Sequence, residues 1–239
     1  MRIAIHQPHY FPWLGYLEKM ARVDLFVILD EVQFEKGSYM NRNRVLDLCG
    51  NVQYLTITTD ANGYLSLPYK QLKTKNDDEW KKKQCNALRN YYKKSPFADE
   101  MNGIFQTFLL QSLQTTCGWT CSSIQFIREA FNIQTPIVFQ SELKYDRTNK
   151  RSDLVFSICE ELRATQYYSG KGASAKYLDI EKFKNAGIGV IFQDYEHPIY
   201  KQNGNNSFIP GLSVLDLLYS CGIENSKNIF WNSVNAEGK

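Results

Sequence analysis

The sequence predicts an α/β fold: a mostly parallel β-sheet flanked by helices, with a helical insertion in the middle of the chain. Short apolar segments alternate with amphipathic helical segments, which is the pattern of parallel-sheet proteins. Residues 25–29 are apolar at every position, as expected for a strand that is buried on both faces. The connection that precedes this segment is long enough for a parallel crossover.

The first predicted unit is a strand, a loop, a helix and a second strand. Residues 2–5 form the first strand, and two prolines then place a loop after it. Apolar side chains at helical spacing predict a helix over 13–21, before the strand at 25–29. Residues 30–50 are polar and are expected to be mainly loop, and a strand follows at 54–58.

The central part of the chain has a helical character. Acidic residues that begin at Asp77 lie four positions before lysines, an arrangement that stabilises a helix surface. Helical patterns continue over 97–117 and 119–132. We interpret 77–132 as a helical insertion or subdomain within a single α/β domain that spans residues 1–239.

The alternation of strands and helices returns after residue 136. Strands are predicted at 137–139, 166–169 and 189–193, and helices at 150–163, 174–186 and 213–219.

Composition excludes several classes of protein. Of the 239 residues, 43% are hydrophobic and 22% charged, which excludes a disordered chain. A net charge of +3 suits a small anionic substrate and is too weak to indicate nucleic acid. The sequence contains no run of about 18 apolar residues, so no membrane span is predicted. The N-terminus does not resemble a signal peptide. The six cysteines form no C-x-x-C pair, so we expect reduced thiols and a cytoplasmic protein.

Two side chains that follow predicted strands are candidates for catalysis. Ligands of open parallel sheets bind outside the carboxyl ends of the strands. His6 ends the first strand and Asp30 ends the second, so both are expected at the same edge of the sheet. A carboxylate beside an imidazole fixes its tautomer and raises its basicity, as a general base requires. The alternative is that His6 is a hydrogen-bonded structural histidine and that Asp30 caps a turn.

Three further motifs have both a functional and a structural interpretation. His6 and His9 form an H-x-x-H that could be half of a metal site, although the same spacing is common by chance. The segment 169–173 (Ser-Gly-Lys-Gly-Ala) could present backbone N–H groups to an anion, or it could be a tight strand-to-helix turn. Residues 41–44 (Asn-Arg-Asn-Arg) offer donors for phosphate or carboxylate, or form a solvated loop.

Nearly the whole chain carries a set of residues that resembles one family. In the first part of the chain these are His6, Gln7, Pro8, Tyr10, Pro12, Trp13, Gly15, Tyr16, Lys19, Asp24, Phe26, Val27, Leu29, Asp30, Val32, Gln33, Phe34, Lys36, Asn41 and Arg42. Looser matches follow at Tyr168, Ser169, Gly170, Gly172 and Ala173, and then from Tyr177 to Leu218. With these motifs the chain resembles the WbqC-like family.

The resemblance implies an enzyme of bacterial surface-polysaccharide synthesis, in particular of O-antigen and lipopolysaccharide sugars. We expect a cytoplasmic transferase that acylates the amine of a nucleotide-linked amino sugar. Its co-substrate would be an acyl-coenzyme A or acyl carrier protein thioester. No metal is expected, since the family motif contains His6 and not His9.

In that mechanism His6 is the general base and Asp30 orients it. Backbone N–H groups of 170–172, or the Asn41 side chain, would stabilise the oxyanion of the tetrahedral intermediate. The other expected contacts are Lys36, Arg42 and Lys171 with the diphosphate, Tyr10, Trp13 and Tyr16 with the sugar or base, and Gln7, Lys19, Gln33, Ser169, Gly170 and Gly172 elsewhere on the substrate.

Other functions fit the same residues. A nucleotidyltransferase would use the same edge of the sheet with a nucleoside triphosphate and a divalent ion. A glycosyltransferase would release a nucleoside diphosphate. A non-catalytic module would bind a sugar nucleotide without turnover.

Overall fold

A five-stranded parallel sheet forms the centre of the described structure, as the sequence predicts. The computed structural model describes residues 1–60, 62–75, 78–172, 174–204 and 207–236. The strands of the sheet are β1 (Arg2–His6), β2 (Leu25–Ile28), β5 (Ile137–Phe139), β6 (Gln166–Ser169) and β7 (Gly189–Phe192). Their order across the sheet is β5-β2-β1-β6-β7, and each strand runs parallel to its neighbours.

The direction of winding reverses between β1 and β6. From β1 the chain moves to one side of the sheet with β2 and β5, and it then crosses to the other side for β6 and β7. Such a reversal separates the two connections that leave the central strands, and it leaves room for a ligand at their carboxyl ends.

Helices cover both faces of the sheet. Ala4 of β1 lies in one hydrophobic cluster with side chains of α1 (Leu14–Ala21) and α8 (Val214–Ala236). Ile3 and Ile5 lie in a second cluster with α5 (Ser152–Glu161) and α7 (Ile180–Asn185). This separation follows from the strand geometry, because successive side chains point to opposite faces.

Three helices occupy the segment that the sequence predicts to be helical. They are α2 (Glu79–Tyr91), α3 (Ala98–Phe108) and α4 (Thr116–Ala130). Residue 77, the first of the predicted insertion, lies outside the described residues. Buried side chains of α2, α3 and α4 belong to the same cluster as those of α1. The division of the chain into a domain and an insertion stays a prediction.

The segment 30–50, expected to be mainly loop, contains a strand. β3 (Arg42–Leu46) pairs antiparallel with β4 (Val52–Thr56) to form a separate two-stranded sheet. β4 begins and ends two positions before the predicted strand 54–58. Hydrophobic patterning does not predict β3, because its buried positions include the polar residue Asn43, which is 2% exposed.

The C-terminal half of the chain differs from the prediction at two helices. The predicted helix 174–186 is divided into α6 (Ser174–Tyr177) and α7. The last helix extends far beyond residue 219 and bends at Gly222, whose φ is 72°. The Phe97 ring occupies the space that a side chain at 222 would need, since a Cβ there would lie 2.6 Å from a ring atom.

Among the described residues, the helices are either too short or too polar to cross a bilayer.

Candidate functional site

The carboxyl ends of β1 and β6 bring three predicted site residues together. His6 is the last residue of β1, and Gly170 directly follows the last residue of β6. Lys19 reaches them from α1: its Nζ lies 3.0 Å from the position that a Cβ on Gly170 would occupy. Because winding reverses between these two strands, this is where the topology favours a ligand site. We call His6, His9, Tyr16, Lys19 and Gly170 the switch-point site.

The hydrogen bond of His6 determines which ring nitrogen is basic. Its Nδ1 lies 2.9 Å from the backbone oxygen of Gln7. A carbonyl oxygen can only accept, so Nδ1 carries the proton and the lone pair of a neutral ring is on Nε2. His6 is partly exposed, and no hydrogen bond to its Nε2 is present among the described residues. The imidazole is therefore arranged as a proton acceptor.

His6 is neutral at physiological pH. Burial lowers its pKa well below the usual value, and the positive charge of Lys19 and the neighbouring His9 lower it further. The hydrogen bond to Gln7 acts in the opposite direction and does not compensate. A neutral imidazole is the form that accepts a proton.

Asp30 does not make the predicted hydrogen bond with His6. Its carboxylate accepts from the Ser141 backbone N–H at 2.9 Å and from the Ser141 hydroxyl at 2.7 Å. Because Ser141 occupies both oxygens and the Gln7 carbonyl occupies Nδ1, the backbone orients the imidazole in place of the carboxylate. Asp30 instead connects the end of β2 to the segment that follows β5.

Lys19 is a buried cation. It is 4% exposed, and burial lowers its pKa to about 8, against the opposing effect of the Glu18 charge. Glu18 itself forms an ion pair with Arg22 and accepts hydrogen bonds from Tyr168 and Gln193. Within the described part of the chain, the Lys19 ammonium has no hydrogen-bond or ion-pair partner.

Aromatic rings surround His6 on the side of the following loop. The rings of His6 and His9 meet edge to face with their centroids 4.7 Å apart, and Tyr16 lies 5.0 Å from His6. His9 stacks on Tyr16 at 5.1 Å and also contacts Tyr39. Burial and the Lys19 charge lower the pKa of His9 to about 3. A buried polar atom here, His9 Nδ1, has no hydrogen-bond partner among the described residues.

Buried polar side chains fix the loop between β1 and α1. The Asn43 amide donates to the carbonyl oxygens of Tyr10 and Phe11, and the Ser213 hydroxyl donates to Phe11 as well. The Ser123 hydroxyl accepts from the Phe11 N–H. Phe11 has a φ of 38°, a conformation that non-glycine residues adopt only where their surroundings impose it. Contacts from β3, from α4 and from the residue before α8 therefore fix this loop, which follows His6 and contains His9.

Several predicted substrate contacts have structural partners. Tyr10 is 1% exposed and its hydroxyl donates to Gln84 of α2. Asn41 is buried and donates to the Ile57 carbonyl, so its amide is engaged within the fold. Ser169 is fully buried at the end of β6. Tyr16 is buried as well, and only its ring contributes to the site.

Two of the cations predicted to bind the diphosphate make contacts that do not involve Lys19. Arg42 donates to the Gly37 carbonyl and lies 4.2 Å from the centre of the Tyr54 ring. Lys171 forms an ion pair with Asp194.

The remaining predicted contacts are at the surface. Trp13 and Gln7 are partly exposed, and Trp13 contacts the ring of Tyr195 at 6.0 Å. Four of them are exposed: Gln33, Lys36, Lys171 and Gly172.

Sequence patterns did not identify every member of the site. The sequence indicated His9 only as a metal ligand, and it gave no signal for Tyr39, which contacts the His9 ring from a polar segment with no periodicity. Among the described residues, no three His, Cys, Asp or Glu side chains are grouped so that they could hold a metal ion.

Comparisons with known proteins assign the chain to a family. The family model described as the WbqC-like protein family matches residues 7–228. The chain is also similar to the uncharacterized protein Rv1507c of Mycobacterium tuberculosis, with 28% identity over 225 residues, which are 93% of this chain and 95% of the relative. No solved structure matches the chain.

Proposed function

Because the chain belongs to the WbqC-like protein family, we propose that it is a transferase that modifies nucleotide-linked sugars for bacterial surface polysaccharides. In this proposal it works in the cytoplasm and moves an acyl group from a thioester donor to the amine of an amino sugar. The observation that supports a catalytic role is the arrangement of His6: a neutral, partly exposed imidazole with its basic Nε2 free, at the switch point of the sheet.

The reaction needs one proton acceptor. The sugar amine attacks the carbonyl carbon of the thioester, a C–N bond forms, and the nitrogen becomes cationic and strongly acidic. His6 Nε2 takes this proton, so a lowered pKa does not prevent its action. The C–S bond then breaks, and the departing thiolate receives a proton from the imidazolium. Backbone N–H groups at 170–172 stabilise the oxyanion in this scheme.

One other groove suits the substrate less well. A groove of 820 Å³ lies between α3 and α4, and its charged side chains are Asp99, Glu100 and Glu129. An acidic groove repels the phosphates of a sugar nucleotide, whereas the switch-point site contains an unpaired cation.

A thiol-release assay tests the proposal. Purified protein is incubated with nucleotide-linked amino sugars and several acyl thioesters, and the product mass is measured. We expect thiol release together with an acylated sugar nucleotide. His6→Gln should lower turnover by about 10²–10⁴-fold, the usual contribution of a positioned base. His197→Gln, which replaces a histidine outside the site, is the matched control. Full turnover by His6→Gln would refute the assignment.

The same experiment separates the alternative functions. Release of pyrophosphate that depends on magnesium indicates a nucleotidyltransferase. Release of a nucleoside diphosphate indicates a glycosyltransferase, since acyl transfer leaves the diphosphate linkage intact. Binding without turnover of any donor indicates a sugar-nucleotide-binding module.

A further inference from the structure

We propose that Lys19 is the phosphate-binding cation of the switch-point site, and that Gly170 lacks a side chain because the Lys19 ammonium occupies that space. The identity of the whole substrate rests on the proposed function, which this inference deepens. The phosphate site itself can be tested without any turnover.

Lys19 carries a charge that has no partner in the described part of the chain. A buried ammonium is costly unless a counter-ion or several acceptors compensate it. The adjacent Glu18 does not serve this purpose, because Arg22, Tyr168 and Gln193 already engage its carboxylate. Across the described residues no other carboxylate pairs with Lys19. An anionic ligand supplies the missing partner.

The surroundings of the ammonium also suit a phosphate. It lies against Gly170, at the start of a segment whose backbone N–H groups follow a strand end, and it is near enough to His6 and His9 to lower the pKa of both. His9 is 9% exposed, and its Nδ1 is a buried polar atom without a partner. A phosphate oxygen here would accept a charge-assisted hydrogen bond from Lys19.

The cations that the sequence predicted for this role either have other partners or lie on the exposed surface. The Arg42 guanidinium donates to the Gly37 carbonyl and stacks on Tyr54, and Lys171 is paired with Asp194. Lys36 is on the exposed surface, where a phosphate contact is weakened by solvent and salt. Lys19 combines charge, burial and the absence of a partner.

Pyrophosphate binding measured by calorimetry tests the site. Lys19→Met should weaken the affinity of the full-length protein by about 10- to 100-fold, the usual effect of losing a charge-assisted hydrogen bond. Lys184→Met, an exposed lysine of α7 on the opposite face of the sheet, should leave the affinity unchanged. No saturable binding by the unaltered protein, or equal binding by Lys19→Met, would overturn the proposal.

A pair of glycine variants tests the geometry. Gly170→Ala places a methyl group 3.0 Å from the ammonium and should weaken pyrophosphate binding several-fold, whereas a Cβ on Gly172 meets nothing within 4 Å. Gly172→Ala is therefore the matched control. Equal affinities of the two variants would contradict the contact. Acetate that competes as strongly as sulfate would also reject a phosphate-selective site.

The pH dependence gives a third measurement. Sulfate keeps its charge over the relevant range, so any change in its affinity reports on the protein. The affinity should be constant below a pH of about 8 and fall above it, because the pKa of Lys19 is about 8. The titratable groups that interact with the ammonium are Glu18 on α1, His6 on β1 and His9 in the loop. A decline that begins only near the ordinary lysine pKa of about 10.4 would contradict the assignment.

The outcomes of the two proposals are distinguishable. Pyrophosphate binding that depends on Lys19, with no acyl transfer, rejects the transferase and keeps the phosphate site. Acyl transfer without that dependence keeps the enzyme and rejects the role of Lys19.

Discussion

The burial of Lys19 lowers the stability of the fold while the ammonium is charged. Its pKa is about 8 in the folded chain, below the value of 10.5 for a free lysine, so the unfolded chain binds more protons between these values. Below pH 8 the charged form therefore destabilises the fold, and this effect disappears as the pH rises toward 10.5. The proposed binding of phosphate requires the same charge that lowers the stability.

Replacing Lys19 by methionine should therefore stabilise the protein at neutral pH. We expect Lys19→Met to increase the free energy of unfolding by about 1–3 kcal/mol at pH 7, since it removes a buried charge and keeps the side-chain volume. The increase should shrink toward pH 10. Urea denaturation at both pH values measures it. A variant less stable than the unaltered protein at pH 7 would show that the ammonium has a stabilising partner.

At the scale of residues, the sequence located candidate site residues better than it predicted their contacts. His6 could be located because strand ends in parallel sheets face ligands. Its partner could not, because the oxygen that fixes Nδ1 belongs to the Gln7 backbone and a backbone carbonyl leaves no trace in residue spacing. Lys19 was recognised only through the family resemblance. Its burial results from the packing of α1, which spacing alone does not determine.

At the scale of elements, the loop between β1 and α1 depends on β3. The Asn43 amide satisfies the buried carbonyl oxygens of Tyr10 and Phe11, at 2.9 Å and 2.8 Å. This explains why a polar residue occupies a buried strand position. It also connects the small antiparallel sheet to the switch-point site.

Removing this connection should weaken both the fold and the site. Asn43→Ala leaves the Tyr10 carbonyl without its donor and the Phe11 carbonyl with Ser213 alone, and it should cost about 1–3 kcal/mol of unfolding free energy. Pyrophosphate affinity should fall too, because His9 and Tyr39 lose their fixed position. Asn86→Ala, at an exposed position of α2, is the control and should change stability by less than about 0.5 kcal/mol. Equal stabilities of the two variants would show that β3 does not hold the loop.

Elements with a clear hydrophobic pattern were predicted well, and elements fixed by specific contacts were not. The apolar run at 25–29 contains β2, and the prediction for β5 agrees in both ends. In contrast, a buried amide of β3 bonds to the loop between β1 and α1, and the Phe97 ring lies against the bend of α8 at Gly222. Such contacts join residues distant in sequence, so a local pattern does not contain them.

At the scale of the whole molecule, the strand order determines which predicted residues meet. The sequence predicted parallel strands but not that β6 lies beside β1. This adjacency brings Gly170 to His6 and Lys19, and it places the site at the reversal of winding. Another order of the same strands would separate these residues.

The whole molecule also contains a histidine pair that couples its stability to pH. Burial lowers the pKa of both His6 and His9, and that of His9 falls to about 3. In the unfolded chain both would protonate near the ordinary histidine pKa of about 6.5. Since the unfolded state then binds more protons, the stability that is present above this pH is lost progressively as the pH falls toward the folded pKa.

Replacing His9 isolates its share of this acid sensitivity. Between pH 7 and pH 5 a histidine that stays neutral in the folded state should cost roughly 2 kcal/mol of unfolding free energy. His9→Phe keeps an aromatic ring against Tyr16 and Tyr39 and lacks the titrating group, so its loss over this range should be smaller by that amount. Urea denaturation at pH 5, 7 and 8 measures the difference. Between pH 7 and 8 the two proteins should change in parallel, because the ring is then neutral in both states. An equal loss from pH 7 to pH 5 in both proteins would mean that His9 becomes protonated within the fold, and that the stacked rings do not hold it in its neutral form.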